Sequence, residues 1–163
     1  IGGAASAIFF NQGQVCTAGS RLYVQKKLFD QVVGGIADSA EKMKLGSGLD
    51  PATQIAPLVS ERQRDRVWSY IEAGKGQGAR AVAGATRPDH AGYFIRPTVF
   101  VDAENSMRIV QEEIFGPVLV AMPFEDLDEI ARKANDTPYG LGASIWLRAL
   151  SSGHHLIHNI KDG

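Results

Sequence analysis

The sequence predicts an α/β domain whose sheet is largely parallel and flanked by helices. Two observations favour this class: strand candidates alternate with helix candidates along the chain, and no internal repeat or low-complexity linker divides it. With 163 residues, 44% hydrophobic and 21% charged, the chain has the size and composition of one domain with a buried core.

Helical periodicity, in which apolar residues recur every three or four positions, occurs in several segments. Ser60 and Gln63 form a capping-box pattern, which places a helix start there and predicts that the Gln63 side chain reaches back to the Ser60 N–H. Asp126 is expected in the first turn of a later helix, where its charge suits the helix dipole. The predicted helices span residues 1–10, 26–43, 60 to a glycine-rich turn at 74–78, 126–135 and 150–161.

Short apolar or alternating segments between turn residues are the strand candidates. Residues 21–25 alternate polar with apolar side chains, and residues 118–122 form the apolar run typical of a buried strand. Pro97 is expected at a strand end or edge because it has no N–H to donate. The predicted strands span residues 21–25, 79–83, 93–101, 118–122 and 141–146.

Charge and cysteine content exclude several classes of function. Seventeen Lys and Arg balance eighteen Asp and Glu, so nothing in the net charge of −1 predicts a nucleic-acid or membrane partner. The apolar runs are too short for a membrane span, and one cysteine excludes an internal disulfide or an all-cysteine metal cluster. We expect no metal and a reducing, cytoplasmic compartment, since nothing resembles a signal peptide. A first residue other than Met predicts a piece of a longer polypeptide.

Cys16 is the only cysteine of the chain. A lone cysteine is more often a small buried side chain than a nucleophile. Residues 11–14 before it are polar and contain a glycine, and they lie between an apolar helix and a strand, where a side chain can face a cleft. Backbone N–H groups in such a turn can stabilise a thiolate and an oxyanion. No histidine adjoins Cys16, so a Cys–His pair has no support.

Residues 112–117 combine two adjacent acids, an aromatic residue and Gly-Pro before a buried strand. A carboxylate there can accept two hydrogen bonds from a sugar diol while Phe115 packs on a flat ring. The alternative, which spacing alone favours, is a solvated acidic turn with Phe115 in the core.

Four segments together resemble the aldehyde dehydrogenase family. Residues 9–16, Phe-Phe-Asn-Gln-Gly-Gln-Val-Cys, are similar to its active-site cysteine signature. Residues 92–100, 112–118 and 135–141 resemble three further family segments in the same order and spacing. The resemblance covers essentially all 163 residues, and the flanking sequence is similar to the phenylacetaldehyde and betaine-aldehyde types.

The resemblance implies that residues 1–163 are a partial catalytic domain, truncated at both ends, with the cofactor domain and a C-terminal segment outside this chain. It implies oxidation of an aldehyde to a carboxylic acid with NAD, or with NADP. Cys16 would form a thiohemiacetal and then a thioester, with its own N–H as half of the oxyanion hole. The general base would lie upstream.

Further site residues follow from the resemblance alone. Glu113 would bind the nicotinamide ribose hydroxyls, with Phe115 against that end of the cofactor and Gln63 as another contact. The implied substrate-tunnel residues are Phe10, Val15 and Thr17. The implied partners are a small-molecule aldehyde and, in the full-length enzyme, further copies in a homodimer or homotetramer.

Two alternatives stay open. One is an acylating or phosphate-coupled reductase of the same superfamily, although the pair Glu113 and Phe115 favours the hydrolytic type. The other is a truncated chain that acts only as a binding or structural module.

Overall fold

A four-stranded sheet in the order β1–β4–β3–β2 forms the centre of the computed structural model, which describes residues 1–147 and 156–161. The strands are β1 (Arg21–Gln25), β2 (Arg80–Ala83), β3 (Thr98–Val101) and β4 (Val118–Phe124). β4 pairs in parallel with both β1 and β3, whereas β2 pairs antiparallel with β3. The predicted α/β class with a largely parallel sheet is confirmed.

Helices lie before, between and after these strands. They are α1 (Gly2–Phe9), α2 (Phe29–Lys42), α3 (Glu61–Gly76), α4 (Arg108–Gln111) and α5 (Leu127–Asn135), with short 3₁₀ turns at Phe10–Gly13 and Lys26–Leu28. Of the predicted last helix, residues 156–159 are helical, and residues 150–155 lie outside the described residues. Every helix in the described part of the chain is too short or too polar to cross a bilayer.

The central strands β3 and β4 are buried along most of their length on both faces of the sheet, which explains why they are almost entirely apolar. Because side chains alternate along a strand, consecutive residues contribute to two separate clusters. The cluster with α3 and α4 contains Phe100, Val118, Val120 and Met122. The cluster with α1 and α2 contains Val99, Val101, Leu119 and Ala121.

The predicted starts of α3 and α5 are correct, with two differences of detail, whereas the helix predicted from residue 26 begins at Phe29 after a 3₁₀ turn. Ser60 Oγ accepts from Gln63 N–H at 3.2 Å, but the Gln63 side chain donates to another segment and does not complete the capping box. Asp126 is the N-cap of α5, one position before its first turn, and accepts from Glu129 N–H at 2.7 Å.

One predicted strand is too long, and another is not a strand. Only Thr98–Val101 of residues 93–101 is a strand, and it begins just after Pro97, which cannot donate to a ladder. Residues 141–146 form no strand, because within the described residues their backbone has no ladder partner. Trp146 instead lies over α1, where a Cβ on Gly3 would be 2.6 Å from its ring.

The alternation of strands and helices also fails at one point. No helix lies between β2 and β3 in residues 84–97, so these strands form an antiparallel pair. The four-residue α4 between β3 and β4 was not predicted, because so short a helix has no detectable periodicity.

Candidate active site

The segment that carries Cys16 leaves α1 in an unusual backbone conformation. Asn11, Gln12 and Gly13 have φ values of 48°, 56° and 68°, three consecutive residues in the left-handed region. Asn tolerates this region better than most residues, whereas Gln12 is strained there. Strain of this kind persists only where surrounding contacts hold it. We call residues 10–18 the Cys16 loop.

Neighbouring segments hold the Cys16 loop in place. A Cβ on Gly13 would lie 2.1 Å from the carbonyl oxygen of Gly116, so only glycine permits this close approach. Asn11 Nδ2 donates to Gln14 O at 3.1 Å, and Gln14 Oε1 accepts from Val59 N–H at 3.1 Å. The loop is therefore fixed from both sides.

Cys16 is exposed at the tip of this loop. Ala18 N–H donates to Val15 O at 3.0 Å, which closes a turn with Cys16 and Thr17 as its two central residues. Such a turn leaves the N–H groups of its central residues unpaired. Indeed, Cys16 N–H donates to no group within residues 1–147 and 156–161. The thiol and a free N–H thus share one exposed turn.

The residues predicted to line the substrate tunnel lie in the same loop. Phe10 is 72% exposed, although the α1 residues just before it are buried. Val15 is half-buried, and Thr17 is exposed beside residue Gly142. All three remain predictions as tunnel residues.

The second part of the site is the Glu113 turn, defined as residues 112–117. Its two acids have opposite surroundings. Tyr70 Oη donates to Glu112 at 2.8 Å, and Arg108 Nε donates to both Glu112 oxygens at 3.1 Å. These hydrogen bonds, that from Tyr70 above all, lower the pKa of Glu112. The Glu113 carboxylate is exposed and accepts no hydrogen bond from the part of the chain that the structure describes.

Side chains of α3 hold the backbone of the Glu113 turn. Arg66 Nη2 donates to Glu113 O at 2.7 Å. Gln63 Nε2 donates to Ile114 O at 3.2 Å and to Phe115 O at 2.8 Å. Phe115 has a φ of 58°, a conformation that non-glycine residues rarely adopt without such support. Gln63, predicted as a cofactor contact, therefore uses its amide N–H groups inside the protein.

All four segments that resemble the family meet near the Glu113 turn. The cysteine segment touches it at Gly116, as described above. Glu113 N–H donates to the Tyr139 hydroxyl at 3.3 Å, and Thr98 N–H donates to Pro117 O at 2.8 Å. Residues far apart in sequence thus converge on the Glu113 turn, which the Cys16 loop contacts at Gly116.

Sequence reasoning did not identify Arg66 and Tyr139 as supports of this site. The spacing of Arg66, three positions after Gln63 on α3, could have indicated that both side chains reach the same neighbour. The contact of Tyr139 has no local signal, since it depends on how two distant segments pack.

The fold and site define a class of protein. The model of the aldehyde dehydrogenase family matches residues 1–163, and the chain belongs to that family. It is 48% identical over 163 residues to DhaS of Bacillus subtilis, whose name places it among the aldehyde dehydrogenases. It is 44% identical to betaine aldehyde dehydrogenase of Brucella anthropi. These alignments cover 100% of this chain but only 33% and 34% of the relatives.

Solved structures agree with this assignment. An aldehyde dehydrogenase from Bacillus cereus, in complex with NAD⁺, superposes with a TM-score of 0.97 at 44% identity. An indole-3-acetaldehyde dehydrogenase in complex with NAD⁺ gives 0.94 at 46% identity. The superpositions cover 99% and 98% of this chain and 33% of each structure. The chain thus spans about a third of the length of its relatives.

Proposed function

We propose that this chain is part of the catalytic domain of an NAD(P)-dependent aldehyde dehydrogenase that oxidises an aldehyde to a carboxylic acid. The observation that carries the proposal is the exposed Cys16 turn with its free N–H, in a loop whose Gly13 packs against Gly116 of the Glu113 turn. Membership of the aldehyde dehydrogenase family and the NAD⁺ complexes of two similar structures support it.

Cys16 is the nucleophile of this proposal. Its thiolate adds to the carbonyl carbon of the aldehyde, which forms a carbon–sulfur bond and places negative charge on the former carbonyl oxygen. The free Cys16 N–H can donate to that oxygen. Loss of hydride from the same carbon leaves a thioester on Cys16. Water then cleaves the carbon–sulfur bond, which releases the carboxylic acid and restores the thiolate.

The Glu113 turn has the chemistry to hold NAD, which when bound supplies the hydride acceptor. The Glu113 carboxylate accepts no hydrogen bond from the described residues, so it can accept hydrogen bonds from a ribose diol. Phe115 is half-buried beside it and can pack against a flat ring. Gln63, whose N–H groups are already bound, can offer only its oxygen to the cofactor.

The proposed enzyme has further parts outside this chain. The general base and a dinucleotide-binding domain would lie in the two-thirds of the protein that this chain does not cover. We propose a homodimer or homotetramer in the cytoplasm, and a small aldehyde as substrate. The relatives named above are aldehyde dehydrogenases, which does not favour the reductase alternative.

Replacing Cys16 in the full-length enzyme tests the proposal. Cys16→Ser and Cys16→Ala should both abolish aldehyde-dependent NADH formation, because a hydroxyl is almost un-ionised at neutral pH and a methyl group is inert. NAD binding, measured by calorimetry, should stay close to wild type and serves as the folding control. Turnover within about tenfold of wild type, a barrier change of only one or two kcal/mol, would refute the assignment.

A further inference from the structure

We propose that Tyr70 is a positioning residue for the cofactor site: its hydroxyl fixes Glu112 and also Arg66, which holds the backbone of Glu113, and this leaves the Glu113 carboxylate free for the ribose. The inference rests on the proposed function, because it assumes that Glu113 binds the nicotinamide ribose.

Tyr70 occupies a position suited to this role. It lies on α3, is 2% exposed, and belongs to the buried cluster under the Glu113 turn. Its hydroxyl donates to Glu112 Oε2 at 2.8 Å and accepts from Arg66 Nη2 at 3.3 Å. The guanidinium carbons of Arg66 and Arg108 lie 5.5 Å and 4.2 Å from the centre of its ring. The ring thus holds two cations, and the hydroxyl joins one of them to a carboxylate.

The backbone conformation at Glu112 determines where the Glu113 side chain points. Glu112 has φ −112° and ψ 148°, an extended conformation in which successive side chains point to opposite sides. Because Tyr70 and Arg108 hold the Glu112 carboxylate against α3, the next side chain, that of Glu113, is directed away from α3. Fixing one acid therefore orients the other.

Arg66 adds a second constraint. Its guanidinium donates to the Glu113 carbonyl oxygen, so it holds the backbone of the residue whose side chain is left free. Without the Tyr70 hydroxyl, Arg66 loses one of its two acceptors among the described residues, so it holds the backbone of Glu113 less firmly.

Tyr70→Phe in the full-length enzyme removes the hydroxyl without creating a cavity. We expect the Kd for NAD to rise about three- to tenfold, the size expected for one hydrogen bond, while the rate of Cys16 alkylation by iodoacetamide stays unchanged. Glu112→Gln should raise the Kd in the same way. Tyr23→Phe is the matched control: its hydroxyl also has two partners, Asn105 Oδ1 at 3.2 Å and Lys133 O at 3.3 Å, neither of which belongs to the Glu113 turn or to α3.

A double-mutant cycle separates positioning from general stability. If Tyr70 acts through Glu113, Tyr70→Phe should weaken NAD binding in the wild type but add nothing in Glu113→Gln. The positioning role is overturned if Tyr70→Phe leaves the Kd unchanged, or weakens it by the same factor in both backgrounds. If Glu113→Gln itself binds NAD with wild-type affinity, the proposed ribose-binding role of Glu113 is refuted. This outcome differs from the two outcomes that refute only the positioning role of Tyr70.

Discussion

At the scale of single residues, Glu112 and Glu113 differ in how far each could serve the proposed cofactor contact. The two acids are adjacent in sequence, yet one is bound by Tyr70 and Arg108 while the other is exposed. A carboxylate already bound by two donors has little capacity left for a ligand, whereas a free one can accept both hydroxyls of a diol. The structure thus gives a physical reason why Glu113 is the better candidate for the ribose.

Glu113→Gln in the full-length enzyme should weaken NAD binding. The substitution keeps size but removes charge-assisted hydrogen bonds worth roughly 1.5–3 kcal/mol in total, or about tenfold or more in Kd. Titration calorimetry with NAD measures this, and Cys16 alkylation should be unaffected. Glu104→Gln, at another exposed glutamate, removes the same charge and should bind NAD normally. Equal affinity for both variants would show that Glu113 is only a solvated turn residue.

Phe10 gives a prediction about substrate size. Phe10→Ala should reduce kcat/KM most for phenylacetaldehyde, less for hexanal and least for acetaldehyde, because a lost apolar contact costs about 1–3 kcal/mol only where the substrate fills it. Steady-state kinetics with the three aldehydes measures the trend. Leu49→Ala, at a residue that is 95% exposed, should leave all three values unchanged. A uniform loss at Phe10 would contradict its place in a substrate tunnel.

At the scale of elements, the Cys16 loop depends on its fit to the Glu113 turn. The approach of Gly13 to Gly116 is too close for any side chain, and the left-handed φ of 68° adds to the requirement for glycine. The conformations of the Cys16 loop and of the Glu113 turn are therefore not independent.

Gly13→Ala should destabilise the protein and disturb Cys16. A left-handed alanine and a steric clash together cost roughly 1–3 kcal/mol, so the thermal midpoint should fall and the rate of Cys16 alkylation should change. Gly34→Ala is the matched control, because nothing lies within 4 Å of its Cβ position in α2, and it should stabilise by about 0.4–1 kcal/mol. Equal midpoints for the two variants would mean that the Cys16 loop can relax away from Gly116.

At the scale of the whole molecule, the chain carries the proposed nucleophile and the proposed ribose contact, but residues 1–147 and 156–161 form no dinucleotide-binding unit. The connection from β3 through α4 to β4 joins parallel strands, but its first loop, residues 102–107, contains no glycine to receive a pyrophosphate. Positioning of the reactants can account for about 7–11 kcal/mol of a catalysed barrier. This contribution requires a cofactor that is held both by the Glu113 turn and by a dinucleotide-binding unit.

We therefore expect residues 1–163 expressed alone to show no aldehyde-dependent NADH formation, while Cys16 still reacts with iodoacetamide. Absorbance of NADH measures the first property and mass spectrometry of the labelled chain the second. The full-length parent enzyme, assayed beside it, is the positive control. NADH formation by the isolated chain that disappears in Cys16→Ser would mean that a general base within these residues was missed.

Local patterns in the sequence predicted most of the elements and the candidate site. Apolar periodicity located α2, α3 and α5, an apolar run located β4, and Ser60 located the start of α3, because each depends on residues near one another in the chain. The family resemblance likewise selected Cys16 and Glu113 from short motifs.

Only the tertiary structure decided how these parts pair with and contact one another. The antiparallel pairing of β2, the loss of the strand expected at 141–146, and the contact of Gln63 with the Glu113 turn all depend on residues that are distant in sequence. The same is true of Tyr70, whose hydroxyl joins Arg66 on its own helix to Glu112 in the Glu113 turn. A hydrogen bond depends on where both atoms lie after packing, and the sequence around either residue specifies only one of them.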